Sequence, residues 1–478
     1  MPLQSVAFAA LRAVLVGSAV LLPLATHAML PPTVARALRT AGIAPHQVAV
    51  QVVAVDGQGE PLASHRAHVP MNPASTMKLV TTYAALSQMG ADYRWRTRWL
   101  ATGPIREGVL SGHLVLRGGG DPKLVIEDLA EQAALLRAAG LQRIDGDLLL
   151  DDSLWRMPRD NDAFDGDLSQ PYNVRPNAAM MNFKAVRVVV AADGTTRTEP
   201  PLAEVPIEND VAPVAGPCRP GIAQLSVRDS GDDRTAGIRI GGRVAPACGD
   251  HGVTAAVLTH RQFVQALFRD AWLRAGGQWS GAARWLDPAA EEARQARPVL
   301  EWLSPRDLSD VVRDVNKFSN NLMARALLLQ LAVHGGDVPA TPRRGEERVQ
   351  RWLEAMALPM PELVIDNGAG LSRQARISAA SLSALLRHAA GGIHAQRLRE
   401  SMPVVGVDGT MARRLVGEPI AGSAWIKTGS LADVRSVAGY VDAQSGRRWA
   451  VVMFVNGPRA DAAGPAIDEM LRWVWSGG

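Results

Sequence analysis

The chain holds only five lysines, Lys78, Lys123, Lys184, Lys317 and Lys427, against 46 arginines. Arginine keeps its proton in proteins, whereas lysine gives one up when buried or crowded by another cation. In a chain that takes arginine by default, a lysine is a hint that ammonium geometry or a labile proton matters, the alternative being drift that leaves a few lysines with no special role. Lys78 lies three residues after Ser75 in "NPASTMKLVTTYAAL". Residues i and i+3 share a helix face, so the amine can reach the serine hydroxyl. A serine hydroxyl is a weak nucleophile and needs such a base. Lys427, in "AWIKTGS", is a second cation that, together with burial, would favour a neutral Lys78. Between the two, "VNKFSNNLMARALL" offers Ser319 as a proton relay and Asn321 as an orienting amide. The chemistry these residue types can do is acyl transfer through a serine ester. Each short motif recurs by chance; it is the three in order that carry the reading.

The elements that must position these groups are legible in the same stretches. Pro73 ends what precedes, Ser75 stands where an N-cap hydroxyl would stand, and Leu79, Tyr83 and Leu86 recur at the spacing of a buried helical stripe that Gly90 closes. Lys78 occupies the position where a capping box would place Glu or Gln. There it opposes the helix dipole at a cost of roughly 0.3–1 kcal/mol. Ser319-Asn320-Asn321 heads another apolar helical run, within a helix expected over about 305–333, and Lys427-Thr428-Gly429 falls in a strand. Strands are also expected over 46–54 and near 61–65, and after the lysine strand at "VRSVAGYVDA" and "RRWAVVMFVNG" before a final helix. From about 92 to 255 the texture changes to short strands broken by Gly, Asp and Pro, with one helix near 126–139. The expected organisation is a leader over 1–28, an α/β domain with an antiparallel sheet flanked by helices over 29–91 and 256–478, and an inserted β-rich region over 92–255.

Composition limits the alternatives. A length of 478 residues exceeds one ordinary domain. With 47% hydrophobic and 21% charged residues the chain is globular. Its net charge of +4 is spread without long basic runs, which argues against a nucleic-acid partner. Arg12, an apolar run to Leu24 and Thr26-His27-Ala28 read as a secretory signal cleaved after Ala28, with an uncleaved anchor as the alternative. The cleavage site carries no Cys, so no lipid anchor is indicated; membrane association is expected to be weak or absent and the location periplasmic. Cys218 and Cys248 fit export and a disulfide, worth about 3 kcal/mol in the loop-entropy account. Two cysteines with no neighbouring His pair fall short of a zinc set, so no metal is expected. Phosphate-loop and G-x-S-x-G signatures are missing from the sequence.

S-x-x-K (Ser75, Lys78), S-x-N (Ser319, Asn321) and K-T-G (Lys427, Thr428, Gly429) together form the motif set of active-site-serine penicillin-recognising enzymes. With "GGGDPKL" (118–124), "DNGAGLSR" (366–373), "MPVVGVDGTMARR" (402–414) and the long insertion, the sequence resembles the low-molecular-weight class C penicillin-binding proteins, a D-Ala-D-Ala carboxypeptidase/endopeptidase family. The resemblance implies a transpeptidase-like domain split by inserted β-rich domains, no cofactor, peptidoglycan peptides as substrates and β-lactams as covalent inhibitors. It implies that Ser75 is the nucleophile, Lys78 its base, and that Thr428 beside Lys427 receives a terminal carboxylate. Backbone N–H groups of Ser75 and Ser430 would form the oxyanion hole. It also suggests Asp151 and Trp155, in "LLLDDSLW", as the insertion's contribution to the pocket, an anionic site for a substrate amine, with the adjacent Asp152 as the alternative. The middle residue Asn320, often Asp in the family, is expected to point away from the chemistry. Two other readings use the same residues: a serine β-lactamase or esterase, which the large insertion argues against, and a non-catalytic peptidoglycan-binding protein, which intact Ser75, Lys78 and Lys427 argue against.

Overall fold

A computed structural model describes residues 30–158, 164–232 and 234–477; the expected leader lies outside them. The central element is a five-stranded antiparallel sheet in the order Ala424–Leu431, Val434–Asp442, Arg448–Asn456, Val48–Ala54, Ala63–His65. Its strands are apolar on both faces because both are covered. In 448–456, Ala450, Val452 and Phe454 face one core while Val451, Met453 and Val455 face the other. The first core is filled by helices Lys78–Met89, Leu308–Lys317, Asn321–His334 and Ala379–Ala390. The second is filled by the terminal helices Pro32–Thr40 and Gly464–Ser476, which pack on each other. The lysine strand, Ala424–Leu431, is an edge of this sheet.

Among the described residues, the inserted region contains one five-stranded mixed sheet, a four-stranded sheet and two three-stranded sheets. It reaches further along the chain than its texture suggests. Strands Gln278–Trp279, Ala283–Trp285 and Arg297–Leu303 pair with strands of 96–151, and helix His260–Arg274 packs on helix Ile126–Ala138 in the same core. That helix is amphipathic like those of the sheet domain, so composition alone could not assign it. Its apolar face, with Phe263, Phe268 and Trp272, belongs to the inserted core. We therefore place the end of the insertion near Leu303 in place of 255.

Two local expectations also change. The helix expected across 305–333 is two helices, ending at Lys317 and restarting at Asn321, because Ser319 adopts a left-handed conformation with φ 58°. Ser75 is not an N-cap: it lies inside a short 3₁₀ turn, Ala74–Met77, and the helix proper begins at Lys78. Cys218 and Cys248 are joined by a disulfide that closes the segment carrying strands 224–229 and 238–244. No helix among the described residues is long and apolar enough to cross a membrane.

Candidate active site

The turn that presents Ser75 is held from every side. Ala74 has φ 45°, a conformation an L-residue adopts at a cost. Asn72 Oδ1 accepts the Ala74 N–H at 2.9 Å, and its amide donates to Ser372 O at 2.8 Å. Asn456 from the sheet brackets Asn72 with two further hydrogen bonds. Ser436 Oγ donates to Pro73 O at 2.6 Å. Gly370 packs so closely that a Cβ there would sit 1.8 Å from Ala74 O, and Gly429 so closely that one would sit 2.8 Å from the Ser75 nitrogen. Gly429 thus serves first to let the lysine strand approach the serine turn.

Lys78 is wholly buried, and its Nζ makes three bonds: to Ser75 Oγ at 2.9 Å, Asn321 Oδ1 at 2.7 Å and Ala369 O at 2.6 Å. Burial, and then the nearby charge of Lys427, hold its pKa well below the ordinary lysine value. The sequence position that looked unfavourable for a cation therefore holds an amine made ready to lose its charge. Lys427 is also wholly buried; it donates to Ser319 Oγ and to Thr428 O, both at 2.9 Å, and burial draws its pKa down to about 7. Asn320 turns away from both lysines and caps the helix behind it, accepting from Met323 N.

The ladder explains what the edge strand offers. Residues on an antiparallel strand alternate in the edge to which N–H and C=O point. Ala424 O and Ile426 N–H are used outward, by Val405 N–H and Pro403 O. The same parity turns the backbone of Thr428 and Ser430 to the open edge, beside Ser75.

The residues expected from sequence fall into two groups. Ser75, Lys78, Ser319, Asn321, Lys427, Thr428, Gly429 and Ser430 come together. Asp151 and Trp155 do not join them. Asp151 is buried, pairs with Arg117 at 2.6 Å and faces a cleft also lined by Arg94, Arg96 and Arg98, a cationic setting that opposes an amine. Trp155 is buried against Ala326, Leu329 and Ala332. At 1.5 Å per residue these lie roughly 8–17 Å along the helix from Asn321. Asp152 accepts a hydrogen bond from Asn177. Sequence reasoning missed the carbonyl of Ala369, because a backbone acceptor leaves no mark in residue type; its only trace was the "DNGAGLSR" stretch. Arg373 of that stretch stacks on Phe164 of the insertion at 4.8 Å, joining the two regions beside the site.

The chain is 27% identical to a D-alanyl-D-alanine carboxypeptidase of Haemophilus influenzae over 84% of its own length and 83% of that protein's. It is 30% identical to a D-alanyl-D-alanine carboxypeptidase of an Actinomadura species, over 83% and 75%. Among solved structures it superposes on penicillin binding protein 4 of Haemophilus influenzae with a TM-score of 0.76 at 24% identity, covering 93% of this chain and all of that one. A predatory endopeptidase of Bdellovibrio bacteriovorus shares the fold more distantly, with a TM-score of 0.54. Residues 32–475 match one family end to end, and the chain belongs to the D-Ala-D-Ala carboxypeptidase 3 (S13) family.

Proposed function

We propose that this protein is an exported, periplasmic serine peptidase that cleaves D-Ala-D-Ala ends and cross-links of peptidoglycan peptides through an acyl-enzyme on Ser75. The observation that carries the reading is the contact between Ser75 Oγ and a buried Lys78 whose pKa is driven down by its surroundings. Neutral Lys78 takes the serine proton as Oγ attacks the carbonyl of the penultimate D-Ala. The oxyanion develops between the N–H groups of Ser75 and Ser430. Ser319, fixed by Lys427, passes a proton to the leaving amine, and Asn321 holds Lys78 and the substrate amide. The leaving residue's carboxylate lies against Thr428 and the Lys427 charge. Water then hydrolyses the ester and restores the serine. β-Lactams, which present a carboxylate and a strained amide in the same relation, acylate Ser75 and block it. Labelling with a fluorescent penicillin, followed over time, tests the reading. Label that persists, and that Ser75→Ala lacks, supports it. Rapid loss of label would favour a β-lactamase, and no label a non-catalytic binding protein.

A further inference from the structure

The segment "MPVVGVDGTMARR" is not part of the three motifs, yet it touches Thr428 of one and Lys317, just before the serine of another. Its residues 403–405 pair with the outer edge of the lysine strand at 424–426 and stop where the open half of that edge begins. The chain then turns back. Asp408 Oδ1 accepts the Val404 N–H at 2.8 Å, and Oδ2 pairs with Lys317 Nζ at 2.5 Å, two residues before Ser319. Gly409 has φ 56°, and a Cβ on it would sit 2.7 Å from Lys317 O. This turn sets the exposed Thr410 hydroxyl 2.8 Å from the Thr428 hydroxyl.

We propose that Thr410 is a positioning residue for recognition of the substrate's terminal carboxylate. The inference rests on the reading of the site given above, in which Thr428 binds that group. A hydroxyl has one proton to give. If Thr428 gives that proton to a carboxylate, its oxygen can only accept in the 2.8 Å bond with Thr410, so Thr410 is the donor there. The resulting chain, Thr410 to Thr428 to carboxylate, fixes the Thr428 rotor and strengthens its outward bond. Asp408 and Lys317 hold the donor in place and tie it to the serine turn of the second motif, so carboxylate recognition and the Ser319 relay share one support.

The test compares single-turnover acylation by an N-acylated Lys-D-Ala-D-Ala peptide with that of its C-terminal carboxamide, for the parent, Thr410→Val, Thr410→Ser, Thr428→Val and the double valine variant. Loss of one net hydrogen bond predicts about a 3- to 10-fold weaker apparent affinity of Thr410→Val for the free acid, with a nearly unchanged limiting rate. The carboxamide should react equally with parent and Thr410→Val, Thr410→Ser should regain parental affinity, and the double variant should be no worse than Thr428→Val alone. Equal losses on acid and carboxamide, or an unchanged affinity for the acid, would overturn the proposal. A parent enzyme that acylates with neither peptide would instead overturn the reading of the site itself.

Discussion

Lys78 Nζ lies 2.9 Å from Ser75 Oγ, and no part of the lysine reaches solvent. The two facts depend on each other. The burial that holds the amine in place is the first cause of its low pKa, and a neutral amine at hydrogen-bond distance is what the serine needs. Lys78→Arg should therefore be nearly dead. Arginine cannot release its proton at working pH, and its planar fork does not fit the three-acceptor site of Asn321, Ala369 and Ser75. A fall in acylation rate of about 10²–10⁴-fold is expected. An arginine variant within a few-fold of the parent would remove Lys78 from the mechanism.

Lys427 gives a pH signature with a definite sign. With Lys78 as the proposed base, acylation needs it without its proton, so kcat/KM should rise with pH through the lowered pKa of Lys78. Lys427 is useful while charged, so kcat/KM should fall again as it deprotonates, at about pH 7 in the free enzyme. A bound carboxylate favours the charged form, so the alkaline limb of kcat should lie at higher pH than that of kcat/KM. Lys427→Gln removes the like charge that helps depress Lys78. Its acid limb should move to higher pH, while Lys427→Arg retains part of the activity. An acid limb unmoved in Lys427→Gln would show that the two lysines are not coupled.

Ser75→Ala should lose all covalent penicillin labelling and keep its melting temperature within about 2 °C, since only a hydroxyl is removed from a turn held by other contacts. The side chain makes no capping bond whose loss would unwind the helix. Retained labelling would transfer the nucleophile to another residue.

The protein purified without reductant should contain no free thiol, because Cys218 and Cys248 are bonded. Reduction should lower stability by roughly 3–4 kcal/mol in the loop-entropy account. The loss should be confined to the inserted region, leaving acylation of the native reduced protein close to parental. Two free thiols in the denatured, unreduced protein would exclude the bond.

The sheet and the three motifs were legible because each shows in residue type. Apolar, Val-rich strands and Ser, Asn and Thr at helix and strand ends all show in residue type. Beyond the site, the other three lysines make the same kinds of contact as the arginines, so scarcity alone does not single out Lys78 and Lys427. Lys123 pairs with Asp314, Lys184 donates to Ala256 O at 3.0 Å and Lys317 pairs with Asp408. What did not show was tertiary. Helix 260–274 has an apolar face that suits either core, and only packing against helix 126–138 decides between them. The break at Ser319 interrupts a continuous helical pattern through one left-handed residue that periodicity cannot detect. Asp151 was read as a free carboxylate because its partner, Arg117, is 34 residues away in sequence.

The strained serine turn makes the last prediction. Ala74 holds a left-handed conformation only while its surroundings enforce it, and the closest of these is Gly370, with φ 73° and its α-carbon against the Ala74 carbonyl. Gly370→Ala faces two costs: a left-handed alanine, about 1–2 kcal/mol, and a methyl group driven into Ala74 O. Gly446, with φ 81° in the turn between the last two strands, would suffer only the first, since nothing lies within 4 Å of its Cβ position. The two alanine variants thus separate backbone strain from the clash. Gly446→Ala should lower the melting temperature by a few degrees and leave acylation untouched. Gly370→Ala should melt lower still and acylate at least about tenfold more slowly at temperatures where it is fully folded, because a 1 Å displacement of a nucleophile is that costly. Equal acylation rates in the two folded variants would mean that the serine turn keeps its geometry without Gly370, and that the strain at Ala74 is maintained by Asn72 and Ser436 alone.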